Sequence, residues 1–170
     1  MKYLLAMLCF AATSVAADGL EIRFADGNPH DRFWIKNVGC PLEDATLLID
    51  MRSAIAGVLM DTVRGGIGTK DPMPVEIEEG EATLLPIRDG SQLMILQLPY
   101  LKTGGQVTVT LDVDDAASAG FDDRVEVDGS ELHGARVTVL AAGGRTTATF
   151  DARGLALPQT PPPARNCLVS

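Results

Sequence analysis

The residues best placed to do chemistry are carboxylates. Asp112, Asp114, Asp115, Asp122, Asp123 and Asp128 fall within seventeen positions of one another. Hard oxygen donors gathered in a loop suit Ca²⁺, which takes six to eight of them. The candidate ligands are Asp112, Asp114, Asp115, Asp122 and Asp123. Along an extended strand Asp112 and Asp114 stand roughly 6.6 Å apart. That is too far for the pair alone to close on an ion at ~2.4 Å unless the turn folds back. Asp26 or Asp31 from an N-terminal turn are further candidates to complete the shell. The spacing is not that of an EF-hand, because Ala116 takes the third ligand position and no glycine follows. The same acids also read as a solvated rim that keeps one end of a sheet in water.

Other chemistry is thinner. Trp34 and Tyr100 could offer flat apolar faces to a sugar ring. With aromatic residues at 5%, the composition favours Trp34 packing between two sheets instead. Ser130, Glu131 and His133 are the right types for nucleophilic catalysis. On one strand, however, the odd spacing puts Ser130 and His133 on opposite faces. Neither a nucleophile elbow nor a glycine-rich phosphate loop is present. Two histidines and the cysteines lack the close spacing of a zinc site. The expectation is a protein that is not an enzyme, with a small carboxylate-based hydrolase as an alternative.

These side chains need a scaffold, and the scaffold reads as strands. In residues 106–115, QVTVTLDVDD, the apolar Val107, Val109, Leu111 and Val113 alternate with polar positions. This pattern gives a strand one dry and one wet side. Leu20, Ile22 and Phe24 alternate likewise, as do Phe33 and Ile35 against Trp34 and Lys36. Further strands are expected at 45–51, 75–78, 82–87, 92–98, 124–128, 135–140 and 146–152. Residues 54–63 favour a strand and loop over a helix, given Gly57, Val58 and Val63. Asp89-Gly90 between two apolar runs signals a hairpin. About ten short strands without crossover helices imply an all-β fold, a single immunoglobulin-like antiparallel sandwich.

Length and composition agree. The chain has 170 residues, 46% of them apolar, and a net charge of −9. One domain of that size buries a sizeable core. The acidic surface argues against nucleic acid and anionic lipid as partners. Residues 1–17, MKYLLAMLCFAATSVAA, have the charged start, apolar middle and small-residue end of a signal peptide. The apolar run is too short to span a bilayer, so no membrane span is expected in the mature chain. Export to the periplasm or beyond the cell follows.

Removing that segment leaves Cys40 and Cys167. An even count in an oxidising compartment favours a disulfide between them. Residues 18–157 would then form the sandwich, and 158–170 a proline-rich tail tied back to an early loop.

The blocks PHDRFWIKNVGC, DVDD and DGSELHGARVTV resemble short secreted bacterial proteins labelled "aggregation factor core". The chain departs from their pattern at Ala116-Ala117 and at Phe121-Asp122-Asp123. The resemblance implies a secreted all-β domain with a role in adhesion or aggregation. The expected function is a binding or adhesion-type module, calcium-assisted, contacting a protein or a surface polysaccharide. The alternative is a ligand-free periplasmic structural domain.

Overall fold

The computed structural model describes residues 19–27, 30–64, 73–115 and 127–160. Among them lie twelve strands and no helix. They are β1 (Leu20–Ala25), β2 (Asp31–Asn37), β3 (Leu42–Asp50), β4 (Leu59–Met60), β5 (Glu76–Glu79) and β6 (Thr83–Leu84). The remainder are β7 (Leu93–Leu101), β8 (Gln106–Leu111), β9 (Val113–Asp114), β10 (Arg136–Ala141), β11 (Gly144–Thr149) and β12 (Leu155–Ala156). The expected count was about ten, and four of the strands found are only two residues long. No helix among the described residues is long and apolar enough to cross a membrane.

Two five-stranded antiparallel sheets stack on each other. The first runs β12-β1-β2-β8-β5 and the second β11-β10-β3-β7-β6, while β4 and β9 form a separate pair. The period-two pattern explains the stacking. Ile22 pairs with Ile35, and Ile35 with Val107, so one face of the first sheet is a continuous apolar layer. Leu47, Leu96 and Val139 share a row on the second sheet. All six side chains are fully buried. Phe33 sits at the centre, its ring 5.2 Å from Phe24 and 5.9 Å from Phe150. Each such side chain, withdrawn from water, contributes on the order of 1.5–3 kcal/mol.

Two details bear on the ends of the sandwich. Asn37 is fully buried at the end of β2. Its Nδ2 donates to Cys40 O at 2.8 Å and Leu101 O at 2.9 Å, and its Oδ1 accepts from Gly39 N at 3.0 Å. The NVGC turn is thus fixed to the end of β7 by one side chain. At the edge of the first sheet, β5 shifts register against β8 between Ile77 and Glu79. Gly80 follows with φ +86°, and a Cβ there would lie 2.4 Å from Gln106 O, so only glycine fits without strain.

Candidate metal centre

The acidic end forms where the two sheets are joined. β8 stops at Leu111, and the chain bends at Asp112 so that β9 leaves the first sheet to pair with β4. Leu59 lies opposite Asp114, and Met60 opposite Val113. Met60 N donates to Ser91 O and Gly90 N to Met60 O, which ties β4 to the hairpin leading into β7. Asp61 N donates to Asp112 O at 3.1 Å. Three chain segments, around residues 61, 89 and 113, therefore meet at one rim.

Their carboxylates meet too. Asp61, Asp112 and Asp114 each place one oxygen such that all three lie within 4.8 Å of one another. Asp61 and Asp114 are buried and Asp112 is half-buried. The bend at Asp112 supplies the fold-back that a straight strand would have denied. Asp61 Oδ1 accepts from Val63 N at 3.4 Å, a long bond, while its Oδ2 is buried with no hydrogen-bond partner. Asp89 stands alongside, accepting from Thr62 N at 3.0 Å. Burial, then the neighbouring Asp89 carboxyl and the charges of Asp114 and Asp89, push Asp61 up to about 6, against the pull of Val63 N–H.

Beneath the rim is Asp31 on β2. Its Oδ2 accepts from Val113 N at 3.0 Å and its Oδ1 from Gly27 N at 3.2 Å. Burial is the main reason that its carboxyl is pushed up to about 7; the two backbone N–H groups oppose it and the charges of Asp112 and Asp26 add to it. Asp31 therefore fixes the first residue of β9, and with it the direction in which Asp112 and Asp114 leave the sheet.

The arrangement suits one kind of chemistry. Three carboxylate oxygens this close cannot all be charged and uncompensated. At an effective dielectric near 20, each such pair repels by roughly 3–4 kcal/mol. A proton or a cation must offset that. The donor set is carboxylate oxygen, which selects hard cations such as Ca²⁺ over the soft ions that thiolates prefer.

The structure redistributes the residues singled out in the sequence. Asp112 and Asp114 lie in one cluster with Asp61, and Asp114 is buried and not part of a wet rim. Asp115 is half-buried and outside the three-acid cluster. Asp122 and Asp123 lie outside the described residues, as does Cys167, the expected partner of the buried Cys40. Asp61 and Asp89 carry no local signal in the sequence: one follows an apolar run and the other is a turn residue. Only the β4–β9 pairing brings them in.

The aromatic pair does not form one platform. Trp34 belongs to β2 in the first sheet and Tyr100 to β7 in the second. Both are exposed, Trp34 at 37% and Tyr100 at 50%. Trp34 therefore does not pack between the sheets: Phe33 and Ile35 take the inner positions, and alternation turns the indole outward. Arg32 pairs with Glu78 across the sheet at 2.9 Å, an exposed structural contact. Ser130 and His133 sit in a turn, not on a strand, with His133 N donating to Ser130 O. No family model and no curated protein matches this chain.

Proposed function

We propose that this chain is an exported binding or adhesion-type module of the cell envelope or the extracellular space, an immunoglobulin-like sandwich whose rim takes Ca²⁺. The observation that carries the cation is Asp61 Oδ2, buried and without a hydrogen-bond partner beside Asp112 and Asp114. A cation there would bridge β4 to the β8–β9 bend, and the backbone bonds of Met60 to Gly90 and Ser91 carry that tie on to the hairpin before β7. That is a structural use of calcium, in keeping with a module that must stay rigid while it holds something else. The likeness of PHDRFWIKNVGC and DVDD to secreted aggregation-factor proteins supports the adhesion reading.

A calcium titration of the thermal midpoint tests it. Binding to the native state alone at a hundredfold excess over Kd adds about 2.7 kcal/mol, or roughly 5–10 °C for a domain of this size. Asp61→Asn should remove the shift. A midpoint indifferent to millimolar calcium would instead favour a ligand-free accessory domain. The Asp89 carboxyl beside Asp61 supports that second reading, because a shared proton would then take the place of the ion.

A further inference from the structure

The three carboxylates at the rim converge only because the chain turns at Asp112, and the side chain that holds this turn lies outside the cluster. Asp31 stands opposite Leu111 in the last pair of the β2–β8 ladder. Two residues on, Val113 is paired with Met60 of β4. Met60 uses both of its backbone groups on the hairpin, donating to Ser91 O and accepting from Gly90 N. In that pair the buried Val113 N–H therefore turns away from β4 and towards β2. Asp31 supplies its acceptor: Oδ2 takes Val113 N at 3.0 Å while Oδ1 takes Gly27 N at 3.2 Å. One side chain thus joins the turn after β1 to the residue between Asp112 and Asp114.

We propose that Asp31 is a positioning residue for the cation. Through Val113 it holds Asp112 and Asp114 in the ligating arrangement before an ion arrives, without itself being one of the three converging acids. The proposal rests on the rim taking Ca²⁺ and adds what sets the affinity there. Geometry argues for it first. An extended strand would part Asp112 and Asp114 by roughly 6.6 Å, so the cluster lasts only while the bend does. Chemistry argues for it next. Each Asp31 oxygen accepts from a different N–H, a pattern that a carboxylate meets and an amide, with one acceptor atom, cannot. Asp31 is only 7% exposed, so water is a poor substitute for it. The site it shapes also needs a ligand, since Asp61 Oδ2 is buried there without a hydrogen-bond partner. A site held ready in this way avoids the cost of ordering its ligands at binding.

Asp31 also adds negative charge beneath the rim, and charge alone would attract a cation. Gly27 separates the two effects. A Cβ there would lie 2.4 Å from His30 O, so Gly27→Ala must shift the donor that fixes Asp31 Oδ1. It leaves every carboxylate in place.

Calorimetric titration with Ca²⁺ in mildly alkaline buffer, where the ligands are ionised, tests the proposal. Asp31→Asn should weaken binding by roughly tenfold or more, the usual loss when an outer partner that orients a metal ligand is removed. Gly27→Ala should weaken it as well. Trp34→Ala, on the outer face of the first sheet, should bind like the parent. Amide hydrogen exchange of the parent gives a readout that needs no variant, and it decides the matter if a substituted chain does not fold. Because coupling is reciprocal, calcium should slow exchange at Val113 and Gly27 more than at Gly39, whose N–H is held by Asn37 at the other end of the sandwich. A folded Asp31→Asn chain with parental affinity would overturn the proposal, as would calcium binding that leaves exchange at Val113 and Gly27 unchanged. Weaker binding in Asp31→Asn but not in folded Gly27→Ala would assign the effect to charge and overturn positioning. A parent that binds no calcium would instead remove the rim site itself, and the positioning role with it.

Discussion

Asp31 holds the rim from below, and its position makes stability depend on pH in an unusual direction. Its carboxyl, pushed up to about 7 chiefly by burial, binds a proton in the folded state that the unfolded chain releases near 3.8. The resulting stabilisation is complete below that lower value and is lost as pH rises through about 7. At ~1.4 kcal/mol per pKa unit this is on the order of a few kcal/mol. Asp50, Glu78 and Asp151 are held low by Arg52, Arg32 and Arg153, and Asp128 by Ser130. They act in the other window, losing their contribution only as pH falls below the usual carboxylate range. Urea unfolding in chelator should therefore show stability declining from about pH 4 to pH 7. Asp31→Asn should reduce that slope, leaving the part that Asp61, pushed up to about 6, contributes. It should also lower stability at pH 4, because an amide cannot accept from both Val113 N and Gly27 N. At this scale the sequence was half legible. The DVDD string announced carboxylates, but whether each is wet or dry depends on the bend at Asp112, which no local pattern encodes.

Among the elements, the long strands were readable because burial on one face imposes a period of two. β1, β2, β7, β8 and β10 lie where alternation puts them, while β3 starts three residues ahead of the expected 45–51 and β11 ends at Thr149, short of the expected 152. The hairpin at Asp89-Gly90 is also where its turn residues indicate, with Ser91 N donating to Arg88 O. The two-residue strands were not readable, since two residues carry no period. That gap hid the candidate site, because β4 and β9 are what assemble it. Trp34 was misread for a related reason: composition spoke for burial, while the alternation of Phe33 and Ile35 pointed outward. The same scale gives a sharp role to Asn37, whose side chain completes three hydrogen bonds in a dry setting. Asn37→Ala leaves Cys40 O, Leu101 O and Gly39 N without this partner. At about 1–3 kcal/mol for each buried group left unsatisfied, the loss should reach several kcal/mol. Chemical denaturation would register it as a lower midpoint with an unchanged m-value.

For the whole molecule, the C-terminal segment returns to the end where Asn37 lies. Gly19 bridges Gln159, and Val38 N donates to Gly19 O, two residues before Cys40. Cys167 is seven positions along the chain from Thr160, a reach of at most ~25 Å. We propose on that ground that Cys40 and Cys167 are bridged in the exported protein. Peptide mapping without reduction should recover the two cysteines in one linked fragment. Cys167→Ser should then cost about 2–4 kcal/mol of stability, and alkylation of both thiols in the native protein would dismiss the bridge.

The register shift and Gly80 on β5 have a further consequence. That border strand carries Glu76, Glu78 and Glu79 along a kinked backbone. A stranger's strand arriving there meets negative charge and a broken ladder, conditions that discourage fibril-like growth. This flank is barred to stacking in line, so even a crowded solution of the protein should resist strand-by-strand growth from that border.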